Sequence, residues 1–135
     1  MNAAREKFNK SERLCSQKIL GSLFDEGRVF YSDLLKVVWD ISPVSLPFPA
    51  QIAFSVSKKK FRLAVTRNLL KRRMREAYRK NKHILYDLLG KENIQIVFIV
   101  IYRKEMISDF LAIETAMIEI IDRFRVMIKE RSRKC

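Results

Sequence analysis

SVSKKKFRLAVTRNLLKRRMREAYRKNK, residues 55–82, passes from an alternating apolar pattern into a helical one, with a lysine run at the joint. It holds 12 of the chain's 28 lysines and arginines and one of its 15 acids, Glu76. The other 107 residues carry 16 bases and 14 acids. Basic residues spread evenly along a chain mainly serve solubility. A nearly neutral chain with one concentrated positive site implies a polyanionic partner.

The helical part is predicted to run from about Val65 through Lys82 and on to Leu89, with Gly90 ending it. At about 100° per residue, Leu70, Met74 and Ala77 share one side, with Tyr78 at its border. Asn68, Lys71, Arg72, Arg75, Arg79 and Lys82 fall in a separate wedge, and Arg67 lies on the boundary. Like charges four residues apart repel by a few tenths of a kcal/mol per pair, and Glu76 is the one acid within the helix to relieve them. Charge runs are usually solvated faces. Here the bases are angularly sorted and rich in arginine, whose planar fork suits phosphate. The wedge also includes an asparagine able to read a base edge or a sugar hydroxyl. Lys58, Lys59 and Lys60 precede the helix, close to its N-terminus, where backbone N–H groups also favour phosphate.

Outward from this stretch, Gln51–Ser57 alternates, with Ile52, Phe54 and Val56 on one face. Leu34–Ile41 alternates as well: Leu35, Val37, Trp39 and Ile41 face one way, Lys36 and Asp40 the other. Between them SPVSLPFP, residues 42–49, is a proline-rich loop. Ile94–Tyr102 is an almost unbroken β-branched and aromatic run, expected as a central strand covered on both faces. A first helix is expected from an N-cap at Ser11 to Gly27, and a last one from an N-cap at Ser108 to about Glu130. The last helix carries the stripe Phe110, Ile113, Met117, Ile120, Ile121, Phe124 and Met127. The order α-β-β-α-β-α makes an α+β fold: a two-layer α/β sandwich on a small mixed sheet.

At 135 residues, about half of them apolar, the chain reads as a single domain (1–135), with flexible ends at 1–10 and 131–135. No apolar run reaches the ~18–20 residues that span a bilayer, and the N-terminus has no secretory h-region. A cytoplasmic location with reduced Cys15 and Cys135 follows. With two distant cysteines and one histidine, no zinc site is expected. No Ser-His-Asp set, paired carboxylates or P-loop is visible, so no catalytic residue is expected. Phe24, Trp39, Phe54 and Tyr102 are stacking candidates, each also readable as core. On the residues alone, a general or ribosomal RNA-binding protein without an enzymatic partner stays open. So does a DNA-binding protein, although a strand and a lysine-rich loop, not a helix-turn-helix, precede the basic helix.

AFSVSKKKFRLAVTRNLLKRRMREAYR resembles the protein component of bacterial ribonuclease P. That family carries Ser-Val-Ser-Lys-Lys at a strand end, then Ala-Val-x-Arg-Asn-x-x-Lys-Arg-x-x-Arg-Glu on a helix. Here these are Ser55 to Lys59, Ala64 to Asn68, Lys71, Arg72, Arg75 and Glu76. Arg13-Leu14 and Leu23 to Gly27 resemble the family's first helix and its ending.

The resemblance implies a ribosomal-protein-like sandwich with a left-handed strand-helix-strand crossover, against the usual rule. It implies a subunit of a ribonucleoprotein endonuclease whose RNA removes the 5′ leader of precursor tRNA with Mg2+, bound mainly by the RNA and not by the isolated protein. The implied partners are the catalytic RNA and precursor tRNA, with neither a membrane nor a small-molecule substrate. Lys58, Lys59, Arg67, Asn68, Lys71, Arg72 and Arg75 match the RNA-contacting motif, and Arg79 extends it. Phe24 matches an aromatic of the leader cleft between first helix and sheet, with Lys36 and Trp39 as further cleft candidates. The chain departs from the family at Leu20, where a second aromatic is expected, and in the glycine-free loop Lys60–Leu63, one residue longer than the common form.

Overall fold

The computed structural model describes residues 7–134. Four strands form one sheet: β1 (Arg28–Tyr31), β2 (Leu35–Ile41), β3 (Ala50–Ser55) and β4 (Ile96–Tyr102), in the spatial order β1-β2-β4-β3. The three helices are α1 (Gln17–Glu26), α2 (Ala64–Glu92) and α3 (Phe110–Lys134). β1 and β2 pair antiparallel, as do β2 and β4, whereas β3 runs parallel to β4 and reaches it through α2. The α+β sandwich on a mixed sheet is thus present, with one strand more than the sequence reading.

That extra strand is β1. Only Phe30 of its four residues is buried, so the segment carries almost no alternation signal. It is held by its pairing with β2 and by a turn in which Ser32 N–H donates to the Leu35 carbonyl (2.8 Å).

The sheet has two covered faces. On the first, Leu35, Val37, Trp39, Ile52, Phe98 and Val100 meet Leu70, Met74 and Ala77 of α2 and Ile113, Met117, Ile120 and Phe124 of α3. Phe30, Trp39 and Phe98 stand edge-on around Phe124, with centroids 5.2, 5.4 and 5.1 Å away. Burying each such side chain contributes about 1.5–3 kcal/mol. The second face is smaller: Leu14 and Leu23 pack on Val38, Val97 and Ile99. β4 is therefore covered on both sides, as its unbroken apolar run requires.

Three helix boundaries differ from the sequence reading. Ser11 does not cap a helix; Lys10–Glu12 is one 3-10 turn, and α1 begins after Ser16, whose Oγ accepts from Ile19 N–H at 3.3 Å. α1 does end at Gly27. α2 runs through Gly90, an exposed position where a glycine costs about 1 kcal/mol without breaking the helix. It closes at Asn93 in the left-handed region (φ 54°), with Ile94 N–H donating to the Leu89 carbonyl at 3.0 Å. Asp109, not Ser108, caps α3: its Oδ1 accepts from Ala112 N–H at 2.9 Å. Ser108 is instead gathered in by Tyr102, whose hydroxyl donates to the Met106 carbonyl, accepts from Ser108 N–H and lies 2.7 Å from Ser108 Oγ.

The expected flexible ends are only partly within view. Phe8 packs edge-on against Phe54 and Tyr78, and α3 stays helical past residue 131 to Lys134. Residues 1–6 and Cys135 lie outside the described residues. Cys15 is exposed and free. Among the described residues no helix is long and apolar enough to cross a membrane.

Candidate nucleic-acid interface

α2 is anchored by a buried stripe. Leu70, Met74, Ala77 and Tyr78 are all fully buried, and this fixes the helix's rotation against the sheet. The opposite side therefore faces solvent: Asn68, Arg72 and Arg75 are exposed and Lys71 is half-buried. Lys58 and Lys59 are exposed in the turn before the helix. That turn is shaped by Ser57, whose Oγ accepts from Lys59 N–H (3.2 Å) and whose carbonyl accepts from Phe61 N–H (3.0 Å). Leu63 occupies the N-cap without a side-chain hydrogen bond, so the first turn of α2 keeps free backbone donors beside the lysines.

Among the described residues, no carboxylate lies within ion-pair distance of Lys58, Lys59, Lys71, Arg72 or Arg75. A cation-rich surface without internal counter-charge repels itself and favours a polyanion.

Two members of the sequence-predicted wedge do not belong to this open set. Lys82 is 1% exposed and paired with Glu12 at 2.6 Å. The N-terminal segment folds over this part of α2, so the apolar face widens towards Tyr78 and Tyr86, four residues to either side of Lys82. Arg79 is paired with Glu76 on its own helix, its Nε donating to Oε2 at 3.0 Å. Arg67 has a third situation: one terminal nitrogen donates to the carbonyls of Phe61 and Arg62, both at 2.9 Å. It clasps the glycine-free loop 60–63 onto the start of α2.

The second cleft candidates separate as well. Phe24, on α1, is 64% exposed. Lys36 is half-buried, with its ammonium 5.9 Å from the Tyr31 ring centroid. Trp39 is not in the cleft: it is 3% exposed, on the face covered by α3, with its ring against Phe124 and under the Arg28 guanidinium at 5.2 Å. The alternation of β2 forces this, because Trp39 shares its face with Leu35 and Val37. Phe54 and Tyr102 belong to the same core. Leu20, where an aromatic is expected, is half-buried against the second-face cluster.

Sequence reasoning missed Phe8 and Arg13. They line a pocket of about 220 Å3 together with Phe54, Lys71 and Arg75, at the outer edge of β3. Arg13 forms an isolated bridge to Ile52, which carries the N-terminal segment along that edge. The Arg13-Leu14 pair was visible in the sequence, but nothing local signalled that it would be folded back beside α2.

The sequence profile of the family described as Ribonuclease P matches residues 8–125. A ribonuclease P protein component of Porphyromonas gingivalis is 38% identical over 110 residues, which cover 82% of this chain and 80% of that protein. One of Chlorobium phaeobacteroides is 42% identical over 84 residues, covering 60% and 58%. The fold is similar to that of the RNase P protein from Thermotoga maritima (TM-score 0.66, 23% identity, covering 83% of this chain and 96% of that one). The Staphylococcus aureus RNase P protein is similar too (TM-score 0.68, 21% identity, covering 87% and 98%).

Proposed function

Since the chain belongs to the ribonuclease P protein family, we propose that it grips the catalytic RNA of that enzyme with the outward face of α2. It is a subunit of the tRNA-processing endonuclease, and the RNA carries the catalysis. The carrying observation is the set Lys58, Lys59, Asn68, Lys71, Arg72 and Arg75: side by side on α2 and the turn before it, exposed apart from the half-buried Lys71, with no carboxylate paired to its cations among the described residues. Lysines in the turn and the free donors of the first helical turn address phosphates. Arg72 and Arg75 add bidentate contacts, and Asn68 a directional hydrogen bond.

The leader of precursor tRNA lies in the cleft between α1 and the second face of the sheet. Phe24 offers an exposed ring for stacking, a contribution of about 1–3 kcal/mol for a base so placed. Lys36 offers a phosphate contact. Mg2+ is held mainly by the RNA. The chain acts on the metal through the RNA it positions. The place of action is the cytoplasm, where the tRNA precursors are.

The test is reconstitution. Purified chain added to the ribonuclease P RNA of the same genome restores cleavage of precursor tRNA at low Mg2+; absence of any stimulation sinks the reading. Phe24→Ala then weakens binding of precursors with a leader and leaves mature tRNA binding unchanged.

A further inference from the structure

Glu12 and Lys82 are the two buried charged residues among those described, at 0% and 1% exposure. Every polar atom of the pair is engaged. Lys82 Nζ donates to Glu12 Oε1 at 2.6 Å and to the Lys7 carbonyl. Glu12 Oε1 also accepts from the Tyr86 hydroxyl at 2.8 Å, and Oε2 accepts from Asn9 N–H at 2.6 Å. Desolvating two charges costs several kcal/mol per ion, and apolar residues of similar volume often hold such a site as well. What the pair adds over apolar packing is a defined register between the N-terminal segment and α2.

The register has a consequence one residue later. From Glu12 the chain continues along β3: the Ser11 carbonyl accepts from Gln51 Nε2 (2.9 Å) and Leu14 N–H donates to the Ile52 carbonyl (2.9 Å). Arg13, between them, is exposed, with its guanidinium 6.0 Å from the Phe8 ring centroid. It shares a pocket with Lys71 and Arg75 of the open cationic face.

We propose that Glu12 and Lys82 are positioning residues: their buried ion pair sets Arg13 beside Lys71 and Arg75, making Arg13 a further phosphate contact of the RNA-binding face. This rests on the functional reading above. The contact is recognised by its charge and by the apolar walls from Phe8 and Phe54, which suit an unpaired nucleotide.

The experiment titrates the ribonuclease P RNA of the same genome with the full chain over a range of salt. Arg13→Ala flattens the salt slope of log K by about 0.7–0.9, one phosphate contact. Lys82→Met gives the same loss, and Arg13→Ala with Lys82→Met together lose no more than either alone. Additive losses, or an unchanged slope in Arg13→Ala, overturn the proposal. Lys82→Met leaves Glu12 buried without its counter-charge. The neutral pair Glu12→Gln with Lys82→Met is therefore measured beside it, with thermal unfolding as the check on folding. A folded neutral pair with wild-type slope overturns the proposal. So does failure of both variants to fold, which makes the ion pair a folding element only. A wild-type chain that does not bind the RNA refutes the functional reading instead.

Discussion

Arg79 is paired with Glu76, three residues earlier on the same helix, although its angular position on α2 is shared with Arg72 and Arg75. The hydrogen bond from Arg79 is the main cause that holds the Glu76 carboxyl below the ordinary carboxylate range, with burial opposing it and the charges of Arg79 and Lys80 adding to it. Arg79→Ala is therefore expected to change the salt slope of RNA binding far less than Arg75→Ala, which removes about 0.7–0.9. Glu76→Gln releases Arg79 and steepens the slope. Because the folded pKa is depressed, the pair is intact above the ordinary carboxylate range and is lost only as pH falls through the lowered value. Slopes measured at pH 7 and pH 5 should then agree for the wild type. Equal losses in Arg79→Ala and Arg75→Ala would show that Arg79 also reaches phosphate.

Arg67 predicts a different signature. Its two hydrogen bonds to the Phe61 and Arg62 carbonyls hold the loop ahead of α2. Bonds to a charged group contribute about 1.5–3 kcal/mol where shielded, and less here because the side chain is half-exposed. Arg67→Ala should lower stability by about 1 kcal/mol on that scale, weaken RNA binding, and speed amide exchange at Lys59 to Arg62. Arg72→Ala should weaken RNA binding alone. Unchanged loop exchange in Arg67→Ala would refute the clasp.

The contrast between Arg72 and Arg79 shows what the sequence could and could not convey. Angular sorting on a helix depends on local geometry, so the anchored stripe Leu70, Met74 and Ala77 and the open side opposite were legible. Whether a given cation is free depends on partners. Glu76 was near enough in sequence to suspect for Arg79, but Glu12 lies seventy residues from Lys82 and its pairing follows from the tertiary fold alone. The same holds for the sheet. β2, β3 and β4 declare themselves by alternation or by an unbroken apolar run, whereas β1 contributes one buried residue, Phe30, and exists because β2 offers it an edge. Trp39 was misplaced for the opposite reason: its face was readable from Leu35 and Val37, but an aromatic suited to stacking competed with that pattern.

Gly27 and Gly21 give a paired test of α1. A Cβ at Gly27 would stand 2.5 Å from the Leu23 carbonyl oxygen and 2.5 Å from Val38 Cγ1. The carbonyl cannot withdraw easily, because it accepts the 2.8 Å hydrogen bond from Gly27 N–H that ends the helix. Gly27→Ala should destabilise by about 1–3 kcal/mol, the usual cost of overpacking. Gly21 lies mid-helix with nothing near the added carbon, so Gly21→Ala should stabilise by about 0.5–1 kcal/mol. Denaturant unfolding of both variants checks this; equal effects would mean that Gly27 does not hold α1 against Val38.

Alkaline pH should expose the tyrosine pair behind the Glu12–Lys82 site. Tyr78 is fully buried, and burial is the main cause pushing its hydroxyl well above the ordinary tyrosine range. Tyr86 is pushed the same way, again chiefly by burial, with Tyr78 and Glu12 adding to the effect. A tyrosine that ionises near pH 10 in the unfolded chain and later in the folded one favours unfolding once pH passes about 10. The sign is therefore a loss of stability on the alkaline side, at up to about 1.4 kcal/mol per pH unit for each such group. Thermal or urea unfolding at steps between pH 8 and pH 11 measures the slope. Tyr78→Phe removes one of the two groups and gives up only the 3.4 Å hydrogen bond to the Tyr86 hydroxyl. Its stability should thus fall less steeply above pH 10 than that of the wild type. An identical slope would mean that Tyr78 ionises as readily in the folded protein as in the unfolded chain, contrary to its burial between Phe8, Phe54 and Phe98.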